Sequence, residues 1–156
     1  MSSIPAATSM RMRAIRRQGT ECESVLETAL KRAKLAYRRQ VSILKCTADF
    51  AFLDERVVVF VDGDFWHGRL LIDGGRRALY RSFKSARREF WITKIVNNVE
   101  RDRRQTARLR RHGWSVIRLW EKDLLRDPSK ALRLLIQRLQ SRRLKLPSSG
   151  SLSRGL

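Results

Sequence analysis

Apolar residues recur along this chain with two periods, and the changes of period predict its elements. Between residues 20 and 36, Val25, Leu26, Ala29, Leu30 and Ala33 return at helical spacing. Thr20, with Glu23 three residues on, forms a capping box that opens this helix. Residues 37–46 read as an irregular basic connection, with a short strand around Val41–Leu44. Thr47–Phe52 and the run Val57–Val61 read as strands joined by Asp54-Glu55-Arg56, and the unbroken β-branched run predicts burial on both faces. From Gly68 to Lys84 the pattern lapses into Gly74-Gly75 and arginines, which reads as a loop near a substrate. Ser85 then caps a long helix over about 86–112, with Ile92, Ile95, Val96 and Val99 inward and Gly113 as its stop. Trp114–Trp120 alternates as a third major strand whose tryptophans read as core. A last helix over about 122–140 is interrupted near Pro128 and turns Leu132, Leu135, Ile136 and Leu139 inward. From Ser141 onward Ser, Gly, Arg and Pro dominate, the composition of a disordered tail.

The order helix, strand, strand, helix, strand, helix predicts an α/β domain with a mixed sheet flanked by helices. It resembles the restriction-endonuclease-like core of PD-(D/E)xK nucleases, here as one domain over 20–140 between a basic arm, 1–19, and a disordered basic tail, 141–156. Charge narrows the class. Lys and Arg number 35 against 15 Asp and Glu, a net charge of +20, so nucleic acid is the default partner. A small ribosomal-type protein would share that imbalance, so charge does not imply catalysis. Cys22 and Cys46 form no CxxC pair and no disulfide framework, which points to a reducing, cytosolic compartment. No apolar run approaches the roughly 18 residues of a membrane span. The acid-free stretch 1–19, with Arg11, Arg13, Arg16 and Arg17, reads as an arm lying on DNA rather than a transit peptide.

The segment Val59-Phe60-Val61-Asp62-Gly63-Asp64-Phe65-Trp66-His67-Gly68 is the chemically densest stretch. Asp49 and Asp62 would reach one sheet edge from adjacent strands, where carboxylates can hold Mg²⁺ against a phosphate. The bland readings are a strand-end aspartate and an Asp-Gly turn. His67, five residues past Asp62, suits proton transfer near neutral pH, or serves as a phosphate contact or structural histidine. Glu23 is explained by its capping box alone. Phe65 and Trp66 can contact bases or pack as core, and Trp91 divides between the same roles. On the long helix Asn98, Arg101 and Asp102 recur one turn apart, Asn98 to hold backbone at the site and Arg101 to hold a phosphate. Arg103, Arg104, Arg108, Arg110 and Arg111 read as a solvated face. His112 reads as a partner of the helix C-terminal dipole.

These blocks resemble the very short patch repair (Vsr) DNA mismatch endonucleases. The likeness runs from Thr20-x-x-Glu23 through Ala48-Asp49-Phe50 to Val59–His67. It resumes at Arg88-Glu89-Phe90-Trp91-x-x-Lys94-Ile95-x-x-Asn98-x-Glu100-Arg101-Asp102, then Gly113-Trp114-x-Val116 and Trp120-Glu121. The resemblance implies a Mg²⁺-dependent nickase that cuts double-stranded DNA 5′ to the thymine of a T:G mismatch. It places Phe65, Trp66 and Trp91 as intercalating wedges and Glu23 near the metal. Phe60 fills the usual second acidic position, so the main-chain carbonyl of Val61 becomes a metal ligand beside Asp49 and Asp62. The best-known members have Thr-His where this chain has Val61-Asp62, and cysteines where it has Asp64 and Lys122, so a structural zinc is expected to be absent. The implied enzyme is a cytoplasmic, nucleoid-associated monomer with mismatch-repair factors as further partners. The alternatives are a restriction or defence endonuclease without mismatch preference, and a non-catalytic DNA-binding protein.

Overall fold

The run Val57–Val61 becomes the strand about which the other elements pack. The computed structural model describes residues 21–147. It contains α1 (21–32), β1 (Arg38–Ile43), β2 (Cys46–Phe52), β3 (Val57–Asp62), α2 (Arg69–Ser82), α3 (Arg88–Arg111), β4 (Ser115–Trp120), α4 (Glu121–Arg126) and α5 (Pro128–Lys145). The sheet order is β1-β2-β3-β4, with β1–β2 and β2–β3 antiparallel and β3–β4 parallel. Both faces of β3 are covered. Val57 and Val59, with Phe50, Phe52 and Ile117, pack on Cys22, Leu26 and Leu30 of α1 and on Leu135 and Leu139 of α5. Val58 and Phe60, with Ala51 and Val116, pack on Leu109 of α3. Burying each such Val or Leu contributes roughly 1.5–3 kcal/mol, which is why an uninterrupted apolar run is stable here.

The sheet has one break, and it falls at Asp49. Cys46 and Ala48 pack toward α3, whereas Phe50 and Phe52, at the same parity, pack toward α1. The β1–β2 register passes over Gln40 and Asp49, and Gln40 sits at φ 49°. Both strands thus change face together, and the Asp49 side chain leaves the alternation that would have buried it.

Several elements differ from the sequence expectation. α1 ends at Arg32, because Lys34 at φ 54° folds the chain back and lets Leu35 N–H donate to Leu30 O. The basic connection is a full strand, β1; its turn uses Leu44 and Lys45 at φ 50° and 62°, with no glycine to announce it. The expected loop over 68–84 is the helix α2. Its Leu71 and Leu79, eight residues apart, pack on Ile92 and Ile95 of α3, while Gly75 at φ 74°, ψ 178° kinks it and hides the period. The last helix is divided at Asp127, whose Oδ1 accepts from Lys130 N–H with Pro128 starting the new turn. α5 runs to Lys145, so 141–145 belong to the folded domain rather than the tail. There Arg142 donates to the carbonyls of Glu55 and Gly113, and Arg143 pairs with Glu55. Trp114 is half-buried against the α3-side cluster, but Trp120 lines a cleft with Arg69 over its ring, so it is not core. Ser85 Oγ accepts from Arg87 N–H at the start of α3, and His112 Nδ1 bonds the Arg108 carbonyl at its end. Both cysteines are free and lie on opposite faces of the sheet; burial, chiefly, pushes the Cys22 thiol up to about 12. The basic arm, the Thr20 cap and residues 148–156 lie outside the described residues. Among those described, no helix is long and apolar enough to cross a membrane.

Candidate active site

Asp49 owes its position to the break in β2. Its Oδ2 accepts the Val61 N–H at 2.7 Å, and Gln40 Nε2 donates to Oδ1 at 3.3 Å. The β2–β3 register stops at Phe50–Val59, so the carboxylate takes over from the backbone as partner to the end of β3. One residue further Asp62 is 4% exposed, with His67 Nδ1 3.4 Å from Oδ1 and Arg118 Nη1 3.4 Å from Oδ2. Asp49, Val61, Asp62 and His67 line one cleft of about 360 Å³ together with Asp102 and Arg118.

His67 follows the short loop after β3 and points Nδ1 at Asp102 Oδ2, 2.6 Å away on α3. Burial raises the Asp102 carboxyl, but the His67 hydrogen bond and the charges of His67, Arg118 and Arg101 outweigh it, leaving Asp102 below the ordinary range. An ionised Asp102 requires the proton on Nδ1, so Nε2 of the neutral ring is the acceptor. Asp62 goes the other way. Burial pushes it above the usual carboxylate range, Arg118 and His67 pull it down, and Asp102 and Asp49 push with the burial.

Arg118 joins the two acids. Its Nη1 and Nη2 lie 3.4 Å from Asp62 and 3.6 Å from Asp102, and its guanidinium stacks 4.6 Å over the Phe60 ring. Parallel pairing of Phe60 with Arg118 sets this up. Sequence reading missed Arg118 and left Asp102 without a role. The signal for Asp102 was present: it continues the buried stripe Ile92, Ile95, Val99 at helical spacing, where an acid has no packing reason to stand.

The remaining expected residues are placed as follows. Glu23 pairs with Arg39 on the α1 side; burial and the nearby Asp49 raise its carboxyl while Arg39 pulls it down. Phe65, Trp66 and Trp91 are half-buried in a ring cluster, with Phe65–Trp66 centroids at 5.0 Å and Trp66–Trp91 at 5.8 Å. Lys94 Nζ lies over both tryptophans, and Phe90 stands exposed beside Trp91. Asn98 Nδ2 donates to the Trp66 carbonyl, so its amide holds the loop that carries these rings. Arg101 reaches Asp102 Oδ1 at 3.2 Å and lines the cleft. Asp64 accepts from Lys122 N–H at 3.1 Å and pairs with Arg69 at 2.9 Å, and Arg69 also pairs with Asp123. A hydrogen bond thus joins the two positions where cysteines were expected in relatives. Nearby Glu121 is buried, its Oε1 without a hydrogen-bond partner among the described residues, and burial raises its carboxyl.

The donors at the cleft suit a hard cation. Asp49 and Asp62 offer carboxylate oxygen, with no soft thiolate in the lining. Among the described residues no three His, Cys, Asp or Glu side chains form a ready cage for a metal ion.

Carboxylates set beside Lys45, Arg101 and Arg118 in one cleft of so basic a chain suit a polyanion cut with the help of a cation, and the class this defines is the nuclease. Residues 3–71 match the family model described as DNA mismatch endonuclease Vsr. The chain is 37% identical over 116 residues to the type II nicking enzyme V.NmeDIP of Neisseria meningitidis serogroup C, covering 74% of each. It is 35% identical over 134 residues to V.NaeI of Lentzea aerocolonigenes, covering 83% of this chain and 76% of that one. With DNA mismatch endonuclease Vsr of Escherichia coli strain K12 the figures are 38% over 116 residues, 74% and 70%. The chain belongs to the Vsr family, whose fold is restriction-endonuclease-like, and it is a DNA endonuclease.

Proposed function

We propose that this endonuclease nicks duplex DNA with Mg²⁺, 5′ to the thymine of a T:G mismatch. The observation that carries the reading is the shared cleft of Asp49 and the His67–Asp102 pair. Asp49, Asp62 and the Val61 carbonyl would hold the cation, which supplies charge to offset that developing on the phosphorus oxygens. His67 Nε2 accepts the proton of the attacking water as oxygen bonds to phosphorus. The P–O3′ bond breaks, leaving a 5′-phosphate and a 3′-oxyanion that takes a proton from solvent to become the 3′-hydroxyl, and the imidazolium then returns its proton to solvent. Asp102 holds the imidazole in the tautomer this needs, Glu23 supports the acidic corner from α1, and Arg101 holds a phosphate. Phe65, Trp66 and Trp91 wedge the duplex at the mismatch, where unstacking costs a few kcal/mol per step and is lowest at a mispair.

The test pairs duplexes that differ only in T:G against T:A, with Asp49→Ala as control. Selective Mg²⁺-dependent nicking 5′ to the mismatched thymine, lost in the variant with DNA affinity retained, is the expected result. Equal cutting of both duplexes would move the function to restriction or defence. Cutting that survives Asp49→Ala would remove the proposed metal site.

A further inference from the structure

We propose that the outer face of α3 is a phosphate track, holding the DNA backbone on one flank of the nick through Lys45, Arg101, Arg104 and Arg108. It rests on the endonuclease reading and extends it beyond the reacting phosphate. Among the described residues a groove of about 420 Å³ runs along α3, lined by Arg101, Arg104, Gln105 and Arg108. Arg101 and Gln105 also line the catalytic cleft, so groove and cleft are continuous, and Lys45 at the β1–β2 turn borders the junction. Arg108 Nη1 donates to the Leu44 carbonyl at 3.1 Å, which fastens that turn to the helix. The groove contains one acid, Glu100, 3.6 Å from Arg104 in an exposed pair that phosphate displaces at little cost. Arg103 and Arg110 turn to the other side of α3, into the cavity with His67 and Trp120. What reads in sequence as a single solvated face is therefore two. From Asn97 to Arg108 the groove spans about 16 Å of helix, roughly five nucleotides of one strand. Lys45, Arg101 and Arg118 line the cleft together with Asp49, Asp62 and Asp102, so the cations at its border offset its acids and continue onto the groove.

The experiment is equilibrium binding of the full chain to a T:G duplex, without divalent metal, across NaCl concentrations. Arg104→Gln with Arg108→Gln should make the slope of log affinity against log salt shallower by about 1.8, and Arg104→Gln alone by about 0.9. Lys130→Gln with Arg133→Gln removes equal charge from α5, on the opposite side of the sheet, and should leave the slope near wild type. Hydroxyl-radical footprints of the α3 variants should lose protection on one side of the nick only. A wild-type slope in the α3 variants, or an equal loss in the α5 variant, overturns the track. Wild-type protein that binds with the expected slopes but never cuts would refute the proposed nicking and leave the track standing.

Discussion

At Arg118 one guanidinium meets two carboxylates and the face of an aromatic ring. Removing it would leave Asp62 and Asp102 facing each other in a buried corner, and a buried acid that loses its cation is costly. The carboxylates would shift, and the imidazole held between them would shift as well. Misplacement of about 1 Å near reacting atoms costs on the order of 100-fold in rate. Arg118→Ala should therefore slow single-turnover nicking about 10- to 100-fold at saturating DNA, with affinity changed by less than about 3-fold. Arg118→Lys, which keeps the charge but not the fork, should recover part of that loss. A fall in affinity as large as the fall in rate would show that Arg118 holds DNA rather than Asp62 and Asp102. Neither Arg118 nor Asp102 stands in a motif with its partners. They are 56 and 35 residues from Asp62 and His67 respectively, and only the parallel β3–β4 register and the packing of α3 bring them in.

Among the elements, α2 was the least visible in sequence and depends on one glycine. Gly68 sits at φ +69°, where a Cβ would meet Val99 Cγ2 at 2.5 Å and Ile95 Cγ2 at 3.0 Å. The left-handed backbone and the close approach of α3 each exclude a side chain there. Gly68→Ala should destabilise the fold by about 2–4 kcal/mol in urea unfolding, combining backbone strain with overpacking. A change under about 0.5 kcal/mol would mean that α2 docks more loosely than this geometry requires. The break in β2 is the second element-scale device. A strand of strict alternation would bury Asp49 or send it to solvent; a paired break in β1 and β2 instead aims it at the Val61 N–H. Nothing in Thr47–Phe52 announces that break, because it is set by what the strand must pair with on either side.

For the whole molecule, a net charge of +20 gives salt two opposite effects. Like charges repel within the compact state, so screening should raise the melting temperature of the free protein by about 2–6 °C between 20 and 200 mM NaCl. The same salt weakens DNA binding, because each counterion released when phosphates are neutralised gains less entropy on entering a more concentrated solution. Melting curves of the free chain and of its DNA complex should therefore move in opposite directions over that range. A free protein whose melting point falls with salt would show that its ion pairs, such as Asp64–Arg69–Asp123, outweigh the repulsion.

The sequence by itself determined whatever depends on neighbours along the chain. Val57–Val61 reads as a doubly buried strand, the stripe from Ile92 to Val99 as a helix, and Asp62 to His67 as the exit of that strand. Family membership was legible for the same reason, since collinear blocks carry it. Tertiary structure decided which charges share a site. It placed Asp49 at a break in the sheet, gave His67 a close hydrogen bond to Asp102 with Asp62 beside it, set Arg118 between the acids, and folded an apparent loop into α2. Periodicity records burial one element at a time. Electrostatic partnership is a property of distance through space, and no local pattern encodes it.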